Sequence, residues 1–176
     1  MVERSGGKRI ALKIATVGIC AATLECVKLA LAALPNIEAV TLLCALYGYV
    51  FGSVGIAAAV VFVCIEPIIW GFGSWVVSYF IYWPVLAFVF MLLGKKRVSS
   101  RIAITAVAVI ATVLFGVLTS LVDVGLFTGY YDRFFIRFSI YYARGAVFYI
   151  LQTVTNAVLF PLLFPTMAKM LKKVKI

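Results

Sequence analysis

The sequence predicts an all-α integral membrane protein, a single bundle of six transmembrane helices over residues 1–176, and two observations carry this prediction. First, 65% of the residues are hydrophobic and 12% are charged, which would leave a soluble protein too little polar surface to cover its core. Second, most of the 16 Lys and Arg residues fall in three clusters, at 4–13, 95–101 and 169–175. Because short loops rich in Lys and Arg stay on the cytoplasmic side, both termini and the central cluster are predicted to face the cytoplasm.

Each span needs about 20 mostly apolar residues. The six predicted spans are residues 10–34, 37–52, 54–70, 76–93, 101–123 and 139–164. The second and third are divided because one continuous helix over 37–70 would be too long for a bilayer, and Gly48, Gly52 and Gly55 offer places to turn. Six spans also keep the 95–101 cluster inside, whereas five would place it outside.

The composition argues against several classes of function. The chain has no His, which excludes Ser-His-Asp and Cys-His nucleophile systems. Its four cysteines lie in apolar stretches without C-x-x-C spacing, so a metal site is not expected. The basic residues lie at span ends without a nucleic-acid-binding motif. A P-loop is also absent from the sequence, so ATP-driven transport would need separate ATPase chains. We expect neither an enzyme nor a resident cofactor.

Ionisable side chains within the predicted spans concentrate in the outward halves, where intramembrane charges usually mark a pathway or a binding site. Glu25 and Lys28 lie in the outward half of the first span and Glu66 in that of the third. Asp123 ends the fifth span and Arg144 lies near the start of the sixth. This distribution predicts a cavity that is open to the outside and closed toward the cytoplasm.

Two stripes of side chains are candidates for lining this cavity. In the sixth span polar and aromatic residues recur every four positions, and in the fourth span aromatic residues follow helical spacing. Such stripes can line a pocket with stacking surfaces and hydrogen bonds. Anchoring of aromatic residues at the membrane interface, favoured for Trp75, and hydrogen bonding between helices are the alternatives. The candidate substrate-binding residues are Asn36, Glu38, Glu66, Trp70, Tyr79, Tyr82, Trp83, Arg144, Phe148, Gln152 and Asn156.

The first span also carries a row of small residues, which permits close approach of another helix. This row consists of Ala11, Ala15, Gly18 and Ala22. Either an internal neighbour or a separate subunit could pack there. The external segment 124–138 alternates aromatic and charged residues, which suits either a lid over an opening or an anchor at the membrane interface.

Three segments resemble the substrate-binding S components of energy-coupling factor (ECF) transporters: LPNIEAVTLL at 34–43, EPIIWGFG at 66–73 and RGAVFYILQTVTN at 144–156. The similarity includes the chain length, the six spans and the basic ends. It implies a prokaryotic plasma-membrane protein that captures a vitamin-like micronutrient at its outer face. It also implies partnership with a transmembrane T component and two cytoplasmic ATPases, with Ala11 and Ala15 matching the Ala-x-x-x-Ala element that contacts the T component.

Other functions are compatible with the same residues. A self-contained secondary transporter or channel could use Glu25, Glu66 and Asp123 as a proton or cation path. An integral membrane enzyme is disfavoured by the lack of His, although carboxylate or Tyr side chains can also act as a catalytic acid or base. A structural subunit without a ligand is the third alternative.

Overall fold

The computed structural model describes residues 3–34, 37–128 and 131–174, with side chains from Gly7 onward. These residues form an all-helical bundle. The helices are α1 (Glu3–Leu31), α2 (Val40–Phe51), α3 (Ser53–Trp70), α4 (Trp75–Lys95), α5 (Arg101–Val122) and α6 (Phe134–Leu171), and a short π-helical turn (Asp123–Phe127) extends α5. Within these ranges all regular structure is helical.

Five of the described helices are long and apolar enough to cross a membrane, which indicates a multi-pass membrane protein. The exception is α2, whose 12 residues span about 18 Å, less than the hydrocarbon core of about 30 Å. Because ten of those residues are buried, α2 is enclosed by its neighbours. Each predicted span overlaps one helix, but α1 begins seven residues before 10–34 and ends three residues earlier, and α6 extends beyond 139–164 at both ends.

Glycines allow α2 to lie against two neighbouring helices. A Cβ on Gly48 would lie 2.1 Å from the carbonyl oxygen of Ala87 in α4, and one on Gly55 would lie 2.2 Å from that of Tyr47. Gly52 alone joins α2 to α3 and has a φ of 62°, a left-handed conformation that glycine adopts readily. The predicted turn between the second and third spans therefore lies at this glycine.

Successive helices alternate in direction. Cys44 in the first half of α2 donates to the carbonyl of Trp83 in the middle of α4, and Tyr49 near the end of α2 donates to the carbonyl of Val98 after α4. These contacts make α2 and α4 parallel. Lys13 and Lys172 line one groove, so the beginning of α1 and the end of α6 lie at the same end of the bundle.

Candidate substrate-binding site

A cavity of about 200 Å³ opens at the end of the bundle opposite the basic groove of Lys13 and Lys172. The end of α1, the segment before α2 and parts of α2 to α6 form its wall. Its lining is largely aromatic and aliphatic, with a few polar groups, as is typical of small-molecule sites. The lining residues are Lys28, Leu31, Ala32, Leu34, Ile37, Glu38, Val40, Thr41, Phe62, Tyr79, Tyr82, Trp83, Thr112, Phe115 and Gln152.

Glu38 is held in this wall by three hydrogen bonds. Its Oε2 accepts the backbone N–H of Thr41 at 2.9 Å, and its Oε1 accepts the hydroxyl of Thr41 and the amide of Asn156 at 3.2 Å. The bond to the Thr41 N–H satisfies a donor in the first turn of α2 that has no partner within the helix. The Glu38 side chain thus binds the first turn of α2 and presents a carboxylate to the cavity.

Asn156 connects this carboxylate to α5. Its Nδ2 also donates to the hydroxyl oxygen of Thr112 at 3.0 Å, and that hydroxyl donates to the carbonyl of Ala108 at 2.9 Å. Both N–H groups of the Asn156 amide are therefore engaged. Asn156 is fully buried and lies behind Glu38, so it positions the carboxylate from outside the cavity lining.

A second polar cluster contains two carboxyl groups and one ammonium group. Lys28 forms an ion pair with Glu66, whose side chain is fully buried, and Glu25 is buried beside Glu66. Within the part of the chain that the structure describes, Glu66 Oε1 and both Glu25 oxygens have no hydrogen-bond partner. The cluster therefore holds more potential negative than positive charge.

Aromatic rings surround the Lys28 ammonium on its other sides. Its Nζ lies 5.3 Å from the ring centroid of Trp70, 5.9 Å from that of Trp75 and 5.2 Å from that of Tyr79, within the range of cation–π attraction. The same residues and Ala32 line a groove of about 370 Å³. Because Lys28, Ala32 and Tyr79 also line the cavity, the groove adjoins it.

The aromatic wall of the cavity is built from α4 and α5. The ring centroid of Tyr82 lies 4.7 Å from that of Phe115 and 4.8 Å from that of Trp83, and Tyr79 packs edge-on against Trp83 at 5.6 Å. These rings fix one another in orientation. They provide a largely apolar surface in the cavity lining.

The structure brings part of the predicted site together. Glu38, Tyr79, Tyr82, Trp83 and Gln152 line the cavity. Behind the lining lie Glu66 and Asn156, each joined to a lining residue. Trp70 lies in the adjoining groove. Asn36 falls outside the described residues.

The structure does not place Arg144 and Phe148 in the lining of this cavity. Both are exposed, and neither is among the described residues that line it. The cause is helical geometry: each step of four residues turns about 40° beyond one revolution, so three steps from Arg144 to Asn156 turn about 120°. Only the later members of the stripe, Gln152 and Asn156, face the interior of the bundle.

Sequence reasoning did not select several residues that the structure places in the site. Thr41 and Thr112 bind the Glu38–Asn156 pair, and Phe62 and Phe115 complete the apolar wall. Glu38 lies just before α2, where a carboxylate can accept a free backbone N–H of the first turn, and this signal was available. The hydroxyl of Thr112 gave no such signal, because its role depends on a contact between α5 and α6.

The row of small residues in α1 faces outward. Ala11, Ala15, Gly18 and Ala22 are all exposed, and a Cβ on Gly18 would have nothing within 4 Å. The described helices therefore leave this row uncovered, so no internal neighbour packs there within the part of the chain that the structure describes.

The predicted external segment 124–138 is largely helical. Residues 124–127 belong to the π-helical turn, and α6 begins at Phe134. Phe134, Phe138 and Tyr142 stack along the surface of α6, with centroid separations of 6.4 and 5.9 Å. Among its described residues, none lines the cavity, which favours an anchoring role over a lid.

Comparisons with protein-family models, with curated proteins and with solved structures find no match. Within the described residues, no group of three or more His, Cys, Asp or Glu side chains is arranged to hold a metal ion. The geometry of the cavity and of the helix surfaces is therefore the basis for assigning a function.

Proposed function

We propose that this chain is the substrate-binding S component of an ECF-type importer. In this proposal it resides in a prokaryotic plasma membrane as a six-span protein with both termini in the cytoplasm. It captures a vitamin-like micronutrient at its outer face and delivers it with a T component and two ATPases. The chain itself catalyses no reaction, and ATP is used by the partner subunits.

The cavity is the observation that carries this proposal. It lies at the end of the bundle opposite the basic groove, and Lys and Arg clusters favour the cytoplasmic side. Its volume of about 200 Å³ exceeds that of an engineered cavity of about 150 Å³ that accepts benzene. A single substituted ring is therefore a suitable ligand in size, and the aromatic wall and Glu38 supply stacking and hydrogen bonding.

The uncovered face of α1 supports an association with a membrane subunit. Close approach of helices through small residues is a main source of association in lipid. Ala11 and Ala15 are exposed on that face, at the spacing that the resemblance to S components assigns to the T-component contact. We therefore assign Ala11, Ala15, Gly18 and Ala22 to this interface.

The proposal is tested by recovery of the ECF module. The tagged chain is co-expressed with an ECF T component and its two ATPases, and purified from the membrane. We expect stoichiometric recovery with the wild type and loss of recovery with Ala15→Trp. Ile110→Trp is the matched control, because Ile110 is exposed on α5, away from α1. Failure of the well-folded wild type to recover the module, or equal recovery with Ala15→Trp, would reject the assignment.

A second candidate is a self-contained transporter, favoured by the buried pair Glu25 and Glu66 with the single ammonium of Lys28. Intramembrane carboxyl groups in such pairs often carry protons or cations. Asp123 belongs to a separate region, because α5 packs mainly against α6 and α4 while α1 packs mainly against α3. This candidate predicts ion-gradient-driven uptake into vesicles that contain only this chain, and loss of that uptake in Glu25→Gln.

A further inference from the structure

We infer that the ligand of the cavity is a planar cation, a single ring bearing a positively charged N–H donor group. This inference rests on the proposed binding function and specifies the chemistry that the same site recognises. It follows from the charges at the cavity, the unused hydrogen-bonding capacity of Glu38 and the aromatic wall.

The charges around the cavity favour a cation. Lys28 and Glu38 are the charged residues in the described lining. Lys28 is already paired with Glu66, so the Glu38 carboxylate is left without a cationic partner among the described residues. Arg144, the other cation expected at this site, is exposed outside the lining. A charge with no counter-ion in a largely apolar cavity favours a ligand that supplies one.

The hydrogen bonds of Glu38 limit how such a ligand binds. A carboxylate offers about four acceptor positions, two on each oxygen. Oε1 already accepts from the Thr41 hydroxyl and from Asn156, whereas Oε2 accepts from the Thr41 N–H alone. Oε2 therefore has one acceptor position to offer to a ligand N–H. The neighbouring amide of Gln152 lines the same cavity and can accept a second donor.

The aromatic wall fits the rest of such a ligand. Tyr79, Tyr82, Trp83 and Phe115 form a cluster with centroid separations from 4.7 to 6.2 Å. Ring faces attract a planar cation through both stacking and the ring quadrupole. An anionic ring of the same shape would meet the Glu38 carboxylate, whereas Lys28, the cation in the described lining, is already paired with Glu66, so like-charge repulsion disfavours it.

The test uses three probes of nearly equal shape and different charge: benzamidinium, benzamide and benzoate. Binding to the purified full chain in nanodiscs of zwitterionic lipid is titrated by saturation-transfer NMR, with empty nanodiscs as the blank. We expect benzamidinium to bind at least about tenfold more tightly than benzamide, as charge-assisted hydrogen bonds are stronger than neutral ones. Benzoate is expected to show no saturable binding.

Two variants assign the preference to Glu38. Glu38→Gln keeps the size of the side chain and is expected to reduce benzamidinium affinity to about that of benzamide. Arg144→Ala is the matched control and is expected to leave all three affinities unchanged. Tighter binding of benzamide or benzoate, retention of the preference in Glu38→Gln, or no saturable binding of any probe to the wild type would overturn the inference. The charge series needs only the wild type, so a poorly folded variant does not weaken it.

The outcomes also separate this inference from the proposed function. Recovery of the ECF module is measured without any ligand. A chain that recovers the module but prefers benzoate would retain the S-component assignment and refute the cationic ligand. A chain that prefers benzamidinium but does not recover the module would keep the site and refute the assignment.

Discussion

Two buried polar contacts join distant segments of the chain at the cavity. The bond from Asn156 to Glu38 links α6 to the start of α2, and the ion pair of Lys28 with Glu66 links α1 to α3. In each case one partner is fully buried and the other reaches the cavity surface. Because unpaired polar groups are costly in an apolar interior, these contacts are expected to fix both the site and the helices that carry it.

The first prediction concerns Asn156→Ala. The substitution removes the bonds to Glu38 and Thr112 and leaves the buried Thr112 hydroxyl oxygen without its donor, so we expect a loss of about 1–3 kcal/mol in the free energy of unfolding. Benzamidinium affinity should also fall, because the Glu38 carboxylate loses its support. Chemical unfolding of the protein in detergent and NMR titration measure the two effects.

The matched control for this substitution is Arg144→Ala on the same helix. Arg144 is exposed, so the control is expected to change the free energy of unfolding by no more than about 0.5 kcal/mol. An effect of Asn156→Ala no larger than that of the control would contradict the positioning role of Asn156.

The second prediction concerns the ion pair and takes the form of a double-mutant cycle. Lys28→Met alone leaves the Glu66 carboxyl group buried without its partner, and we expect up to about 3 kcal/mol of destabilisation. This value is at the low end for breaking a buried ion pair, because the Lys28 side chain is 26% exposed. Glu66→Leu added to Lys28→Met should restore part of that loss, since the Glu66 carboxyl group is then no longer buried without its partner. Additive effects in unfolding experiments would show that the two side chains are energetically independent.

The sequence allowed prediction of the groups that needed only local information. Glu38 was selected from its place at the outer start of the second span, and Tyr79 and Trp83 from their helical spacing in the fourth, and all three line the cavity. Arg144 was misplaced because a row of residues four apart drifts around a helix, which matters over three steps. Thr112 was missed because its contact with Asn156 joins α5 to α6. The angle at which two helices pack cannot be read from a single sequence.

Among the helices, α2 determines how closely the bundle packs. It is too short to cross a bilayer unaided, yet ten of its residues are buried, so it must be surrounded by α3, α4 and α6. Such close packing requires residues without a side chain at the points of contact. Apolar length alone therefore predicted the number of helices, whereas the glycines determine how tightly they pack.

The third prediction compares two glycine substitutions that are chemically the same. In Gly48→Ala the new Cβ would meet the Ala87 carbonyl oxygen at 2.1 Å, and we expect the overpacking to destabilise the protein by about 1–3 kcal/mol. In Gly18→Ala the new methyl meets nothing within 4 Å, and the better helix propensity should stabilise α1 by about 0.5–1 kcal/mol. Thermal unfolding of both variants measures the difference. Equal effects would mean that α2 and α4 are not held at this close distance.

For the whole molecule, alternating helix directions and charge distribution together favour one orientation in the membrane. The beginning of α1 and the end of α6 meet at the basic groove, and the 95–101 cluster follows the end of α4, which lies beside the end of α2. The described residues of all three basic clusters therefore lie at one end of the bundle, and the cavity lies at the other. The rule that Lys and Arg stay on the cytoplasmic side then predicts a cavity that faces outward.

The fourth prediction tests this orientation with single cysteines in a variant that lacks Cys20, Cys26, Cys44 and Cys64. Phe72→Cys lies at the cavity end and Ser99→Cys in the basic cluster, and both positions are exposed. A maleimide reagent that cannot cross the membrane is added to intact bacterial cells. We expect it to label Phe72→Cys directly and Ser99→Cys only after permeabilisation. The reverse pattern would place the cavity on the cytoplasmic side. A site open to the cytoplasm could not capture a micronutrient from outside, so that result would reject the uptake function even if the cationic ligand were confirmed.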